Sequence, residues 1–201
     1  MKNFALKRLS RRLRPETLIW VKNGYPVPVP FQIKLNTLLR HAIPNSDWIE
    51  TGTYLAETTV ALAKNFPQNR IYTIEPAHML FEFTSKKYSK YKNISFILGT
   101  SEQELEKILM NLPGSVNFWL DGHYSGDVTF KGEIDSPIIT ELRLIESHKG
   151  IFNTAQIFID DFRLFGTAPG YPSKEALIDW AVAQKLNWTV ENDIFCCRIT
   201  T

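Results

Sequence analysis

Five short apolar runs, each followed by a helical pattern, recur along the chain from residue 47 onward. Strands that alternate with helices pair in parallel through right-handed crossovers, so their carboxyl ends meet at one edge of a sheet. Two further runs, 188–191 and 194–199, are close enough in sequence to form a hairpin. The sequence therefore predicts an α/β fold, a doubly wound and mostly parallel sheet that ends in an antiparallel C-terminal hairpin. The five parallel strands are predicted at residues 48–50, 70–75, 94–98, 116–120 and 155–159.

Helix boundaries follow from local signals between these runs. Residues 32–42 place apolar side chains on one helical face ahead of the first strand. Ser101 predicts a capping box with Glu104, and Ser136 an N-cap before a proline at the first helical position. Ser173 is another predicted N-cap. Residues 18–31 contain three prolines and are predicted to form a linker or substrate-side flap instead of a regular helix.

Acidic residues end four of the five predicted parallel strands. Carboxylates rarely end an apolar run unless they are paired, bound to a ligand or solvated. Open α/β sheets bind their ligands outside this edge, so the acids mark the expected site. They are Glu50, Glu75, Asp121 and the pair Asp160 and Asp161.

The segment around the first of these strand ends, DWIETGTYLAETT at residues 47–59, is predicted to form a strand, a tight turn and the start of a helix. Gly52 permits a close backbone turn, and the first amides of the helix are available to a polar ligand. The carboxylate of Glu50 would repel a pyrophosphate, and Tyr54 and Ala56 stand where a dinucleotide fingerprint would have further glycines. These features favour S-adenosylmethionine over NAD.

The positive charge of the chain is concentrated at its N-terminus. Residues 1–14 carry six Lys or Arg and no acid, so a net charge of +2 leaves −4 for the remainder. Phe4, Leu6, Leu9 and Leu13 alternate with these cations, a pattern typical of an amphipathic helix on an anionic surface. A solvated helix over the mouth of the domain and an organelle transit segment are the alternatives. No nucleic-acid partner is expected, because the body of the domain is acidic.

The two cysteines, Cys196 and Cys197, are neighbours on a predicted strand. They therefore point to opposite faces and are not expected to form a disulfide or a metal site. Buried free thiols suit the reducing cytoplasm. We therefore expect a cytoplasmic protein. Peripheral contact with the inner face of the membrane and assembly into a homo-oligomer are two further alternatives that the sequence leaves open.

Several motifs together resemble the class I S-adenosylmethionine-dependent methyltransferases, in particular the metal-assisted sugar and catechol O-methyltransferase branch. ETGTYLAETT is similar to that family's cofactor loop, IYTIEP to its second motif and GTSEQEL to the segment beside the adenine. WLDGHYSGD and FIDDFRLF resemble the fourth-strand and fifth-strand motifs of the metal-using branch. The resemblance implies a Rossmann-like fold, with Glu75 on the ribose hydroxyls and Ser101 near the base. The cofactor-binding residues so implied are Glu50, Thr51, Gly52, Thr53, Tyr54, Thr58, Glu75, Thr100, Ser101 and Asp121.

The same resemblance implies a divalent metal and a general base on the acceptor side. Asp121, Asp160 and Asp161 would offer hard oxygen ligands to Mg²⁺ or Mn²⁺, which would bind substrate hydroxyls. His123, two residues after Asp121, is the candidate general base, because its ordinary pKa of about 6.5 suits proton acceptance near neutrality. A loop histidine that bonds a neighbouring carboxylate is the alternative for His123.

The sequence thus predicts O-methyl transfer to a hydroxyl of a small molecule or saccharide. Residues 1–46 would form a basic helix, a proline-rich flap and a leading helix, and residues 47–201 the methyltransferase domain. Two rivals remain, an NAD-dependent oxidoreductase and a non-catalytic binding module on a similar fold. The oxidoreductase lacks the glycine pattern and an evident hydride-transfer partner.

Overall fold

The fold is described from a computed structural model, which covers residues 15–112, 114–122 and 136–200. Within these residues the chain forms seven α-helices, seven strands and one short 3₁₀ helix, Phe162–Leu164, which follows the fifth strand. The helices are α1 Pro15–Lys22, α2 Phe31–His41, α3 Glu57–Asn65, α4 His78–Lys87, α5 Ser101–Leu109, α6 Ile138–Ser147 and α7 Lys174–Ala183. The strands are β1 Asp47–Thr51, β2 Ile71–Glu75, β3 Ile94–Leu98, β4 Gly114–Leu120, β5 Phe152–Ile159, β6 Asn187–Glu191 and β7 Ile194–Thr200.

All seven strands belong to one sheet, in the order β3-β2-β1-β4-β5-β7-β6. The first five pair in parallel, whereas β7 is antiparallel to both β5 and β6. The strand order reverses between β1 and β4, which is the point where such sheets open a crevice for a ligand. The predicted α/β fold, a Rossmann-like doubly wound and mostly parallel sheet with an antiparallel C-terminal hairpin, is confirmed.

Two hydrophobic clusters cover the two faces of the sheet, as the alternation of side chains along each strand requires. One face packs Ile49, Phe118 and Ile157 against α5, α6 and α7, and the other packs Trp48 and Phe158 against α2 and α3. Cys197 belongs to the first cluster and Cys196 to the second. Both thiols are free and buried, as the sequence predicts.

Three local predictions are wrong. Residues 18–22 belong to α1, which begins at Pro15; a proline is tolerated in a first helical turn, and the other three prolines of this region lie beyond the helix. Ser101 is the first residue of α5, after the N-cap Thr100, and makes no capping bond. Pro137 takes the N-cap position of α6 that was predicted for Ser136, again without a side-chain bond. Ser173 does cap α7, since its hydroxyl accepts from the Ala176 N–H.

None of the helices in the described part of the chain has the length and hydropathy needed to span a bilayer.

Candidate functional site

The turn between β1 and α3 passes three times through left-handed backbone conformations. Gly52, Tyr54 and Ala56 have φ values of +86°, +45° and +61°. The N–H groups of this turn are used within the protein, since those of Gly52 and Thr53 donate to Ile74 O and that of Tyr54 donates to the Glu75 carboxylate. Only the first of the three left-handed residues is a glycine, although the left-handed positions are spaced as the glycines of a glycine-rich loop would be. The absence of further glycines, which counted against a dinucleotide in the sequence, therefore does not change the path of the backbone.

Gly52 lies at the closest approach between this turn and the end of β4. A Cβ atom there would be 2.9 Å from the carbonyl carbon of Asp121 and closer still to its oxygen. The Asp121 N–H also donates to Thr51 O at 3.1 Å, so the two strand ends are joined directly. A side chain at position 52 would force them apart.

Glu50, predicted as a cofactor ligand, is a buried carboxylate that also lines the cavity described below. Its Oε2 atom accepts hydrogen bonds from the Thr59 hydroxyl and, at 2.7 Å, from Thr73 Oγ1. Burial raises the pKa of Glu50 to about 8, and the two threonine hydroxyls only partly oppose this. Near pH 7 the protonated form therefore predominates, and Glu50 holds β1, β2 and α3 together.

Glu75 ends β2 and connects two loops. Its carboxylate accepts hydrogen bonds from the Tyr54 N–H at 2.8 Å and from the Ala77 N–H at 2.9 Å. Burial raises the pKa of Glu75, while these two amides lower it. The side chain is thus positioned beside the left-handed turn, and it does not line the cavity described below.

A cavity of about 330 Å³ opens in front of the turn, at the switch point of the sheet. Apolar side chains of α2 and of the segment before it form one wall, and the turn and the ends of β4 and β5 form the other. Many of the residues that were predicted from the sequence line the cavity, namely Glu50, Gly52, Thr53, Tyr54, Thr58, Asp121 and Asp160. Lys34, which was not predicted, lines it as well.

Other predicted ligands lie around this cavity and do not line it. Thr51 is buried behind the turn, where its Oγ1 atom and Glu141 Oε1 flank Gly122. Burial raises the pKa of Glu141 to about 7, and the hydroxyls of Ser101 and Thr51 act against this. Ser101 therefore lies next to Glu141, and Thr100 is the N-cap of α5. His123, the predicted general base, lies outside the described residues.

The aspartates after β5 bind a lysine. Lys34 Nζ lies 2.5 Å from Asp160 Oδ1 and 2.7 Å from Asp161 Oδ1. Arg163 Nη1 lies 2.5 Å from the same Asp161 atom and also pairs with Asp193. β5 ends at Ile159 and Asp161 has a φ of +54°, so the strand has given way to a turn in which both carboxylates reach one cation.

The pKa values of Lys34, Asp160 and Asp161 depend most on burial and next on the charges of neighbouring side chains. Burial lowers the pKa of Lys34, but the two aspartates outweigh it and leave that pKa above its ordinary value. Burial raises the pKa of Asp161, but Lys34 and Arg163 bring it below its usual range. Asp160 differs: burial and the charge of Asp121 raise its pKa to about 8 despite the nearby ammonium.

The described residues do not fit the predicted metal site as they stand. The Oδ1 atoms of Asp160 and Asp161 that Mg²⁺ would need already accept from Lys34. The described part of the chain contains no group of three or more His, Cys, Asp or Glu side chains arranged to hold a metal ion, and this set is no exception. Asp121 and Asp160 line the same cavity as Lys34, and Asp161 pairs with that lysine.

The chemistry of the cavity does fit S-adenosylmethionine. A left-handed turn leads into the N-terminus of α3, whose amides suit a carboxylate, and Glu75 lies beside it as an acceptor for hydroxyls. The Asp121 side chain, which lines the cavity after the end of β4, suits a cationic sulfonium. The residues that would hold the cofactor are Gly52, Thr53, Tyr54, Thr58 and Glu75.

Comparison with known proteins supports this fold and no closer relationship. No protein-family model matches the sequence, and no curated protein matches it. A structure called a putative rRNA methylase from Clostridium thermocellum is 15% identical, with a TM-score of 0.60 over 87% of this chain and 98% of that one. A putative caffeoyl-CoA O-methyltransferase from Staphylococcus aureus is 11% identical, with a TM-score of 0.57 over 100% and 99%. TrmK of M. capricolum, solved with S-adenosylhomocysteine, is 17% identical, with a TM-score of 0.50 over 86% and 68%. The chain therefore has the fold of the class I S-adenosylmethionine-dependent methyltransferases.

Proposed function

We propose that this protein transfers a methyl group from S-adenosylmethionine to a hydroxyl oxygen of a small molecule or saccharide. The observation that carries the proposal is the cavity at the switch point, where the left-handed turn after β1 faces the acidic ends of β4 and β5. One side of this cavity suits the cofactor, and the other suits a polar acceptor between apolar walls.

The chain would contribute mainly alignment and proton removal, because a sulfonium methyl group is already activated for attack. Glu75 and the turn at Gly52 would fix the cofactor, and α2 would close the acceptor side with Phe31, Leu35 and Leu38. Holding the two reactants in line lowers the barrier by making an otherwise bimolecular step effectively unimolecular. Asp121, at the end of β4, is the proposed catalytic carboxylate on the acceptor side. His123 is proposed as the base that takes the hydroxyl proton, on the sequence alone.

RNA is the acceptor class that the names of some similar structures suggest. The described cavity favours a smaller acceptor, because apolar side chains of α2 and Val29 close one wall of it. A methylation assay with labelled cofactor, run in parallel on total RNA, catechols and sugars, distinguishes these classes. Incorporation into RNA alone would replace the proposed acceptor and leave the proposed chemistry in place.

Calorimetric titration with S-adenosylmethionine and with NAD tests the cofactor assignment directly. We expect binding of the first and not of the second. Binding of NAD alone would favour an oxidoreductase, and binding of neither would contradict a cofactor site at the turn.

Glu75→Ala should weaken the affinity for S-adenosylmethionine by about 5- to 150-fold, the equivalent of roughly 1–3 kcal/mol for hydrogen bonds to a charged acceptor. The exposed Glu82, on α4, provides the matched control. Glu82→Ala should bind the cofactor like the wild type. Equal affinities in the Glu75 variant and the wild type would remove Glu75 from the site.

A further inference from the structure

Lys34 lies in the middle of the cavity-facing stripe of α2. Phe31, Leu35 and Leu38 occupy the same stripe at helical spacing, and all four side chains line the cavity. The side chain of Lys34 is only 12% exposed. A cation in such a position is stable only when it is paired, and here the pairing joins α2 to the end of β5.

The pairing uses the atoms that a metal ion would need. Lys34 Nζ bridges the Oδ1 atoms of Asp160 and Asp161, at 2.5 Å and 2.7 Å. Mg²⁺ binds carboxylate oxygens at about 2.0–2.1 Å, so an ion bound to both atoms would occupy the position of the ammonium group. Lys34 and a divalent ion therefore compete for one place.

An ammonium group can also do part of what a metal ion does for an acceptor. It has three N–H donors, and Asp160 and Asp161 are its two hydrogen-bond partners among the described residues. A third donor therefore remains on a side chain that lines the cavity. Such a donor stabilises an oxygen that is losing its proton, and it does so without a metal.

We infer that Lys34 takes the place of the divalent ion at this cluster, so that Asp160 and Asp161 bind no metal and the Lys34 ammonium contacts the acceptor oxygen. The exclusion of metal rests only on the two hydrogen bonds that Lys34 donates to Asp160 and Asp161. The contact with the acceptor rests in addition on the proposed function.

Mn²⁺ binding tests the exclusion without any need for a substrate. The full-length wild type and Asp160→Asn are titrated with Mn²⁺, and free Mn²⁺ is followed by electron paramagnetic resonance. We expect the wild type and Asp160→Asn to bind Mn²⁺ equally, because the aspartate cluster of the wild type binds none. Wild-type binding that this substitution abolishes would overturn the inference.

Lys34→Ala provides the converse measurement. Removing the ammonium group should expose the two carboxylates and create Mn²⁺ binding that the wild type lacks and that a second substitution, Asp160→Asn, abolishes. Arg40→Ala is the matched control, because it removes a cation from the same helix and breaks a different ion pair, that with Glu191. It should leave Mn²⁺ binding unchanged. If Lys34→Ala fails to fold, the comparison of the wild type with Asp160→Asn still decides the question.

Turnover tests the contact with the acceptor. Methyl transfer should persist in full after EDTA treatment, and Lys34→Ala should lower kcat by roughly 100-fold, as the loss of a transition-state donor does. Lys34→Arg, which keeps the charge, should recover part of this, while the affinity for S-adenosylmethionine stays unchanged in both variants. Activity that EDTA abolishes and Mg²⁺ restores would overturn the inference. Failure to bind S-adenosylmethionine would instead reject the proposed function, and the Mn²⁺ result would still stand on its own.

Discussion

Gly52→Ala should be among the most destabilising single substitutions of a glycine in this chain. The new Cβ would lie 2.9 Å from the Asp121 carbonyl carbon, within a backbone that cannot move cheaply because Asp121 also donates to Thr51. Overpacking of this kind costs roughly 1–3 kcal/mol. The left-handed φ of +86° adds about 1–2 kcal/mol for any L-residue. The expected loss in the free energy of unfolding is therefore about 2–5 kcal/mol.

Urea denaturation with matched glycine controls separates the two contributions. Gly24 shares the left-handed conformation, with a φ of +78°, but a Cβ atom there would meet no other atom within 4 Å, so Gly24→Ala isolates the backbone cost. Gly150→Ala meets no atom within 4 Å either and serves as the neutral reference. With a urea m-value of about 2 kcal/mol/M, the midpoint for Gly52→Ala should fall by roughly 1–2.5 M. A midpoint no lower than that of Gly24→Ala would refute the close approach of β1 and β4.

Two further predictions concern pH and the N-terminal tail. Burial raises the pKa of Glu50 from 4.5 to about 8, so the native state binds this proton more tightly than the unfolded state, and its contribution to stability falls as pH rises between these values. Glu50→Gln should remove this decrease in the free energy of unfolding, which amounts to roughly 4 kcal/mol from pH 5 to pH 8. Urea denaturation of wild type and variant at several pH values tests it, and an equal pH dependence of the free energy of unfolding in both proteins would contradict the burial of Glu50. Deleting residues 1–14 should abolish binding to anionic vesicles in a flotation assay, because each Lys or Arg near such a surface contributes about 1 kcal/mol. Equal binding by the truncated and full-length chains, or none by either, would reject a membrane role for the tail.

The strands were predictable because burial and hydrogen bonding impose a strong pattern on them. The predicted range 94–98 coincides with β3, and the other parallel strands differ from their predicted ranges by at most three residues at either end. Each acid that marked a strand end lies at the cavity or directly beside it. The helix α1 was missed because the prolines of residues 26–30 dominated the interpretation of the whole segment.

The left-handed turn could not be read from residue types, because tertiary contacts impose it. The N–H groups of Gly52 and Thr53 both donate to Ile74 O, at 3.0 Å and 3.2 Å, which fixes the turn against β2. Tyr54 then donates to Glu75, so a non-glycine residue is held at positive φ by its neighbours. Conformational preference at such a position is outweighed by the hydrogen bonds on both sides of it.

Lys34 was missed for a different reason. Its partners lie more than 120 residues away in the chain, and the sequence gives no sign of the pairing. A local signal does exist, since a lysine interrupts the apolar stripe formed by Phe31, Leu35 and Leu38. A charged residue on the buried face of an amphipathic helix indicates either a paired ion or a functional group.

The order of the strands also determines when the cavity can exist during synthesis. β1 and β4 are neighbours in the sheet, but Gly52 and Asp121 are separated by about 70 residues of chain. At a translation rate of about 5–20 residues per second, β1 waits roughly 4–14 s for its second partner. Throughout that interval β1 presents an open edge next to the buried Trp48 and Ile49, which is a template for wrong pairing. A nascent chain whose synthesis stalls between β3 and β4 would therefore be prone to aggregate through the unpaired edge of β1.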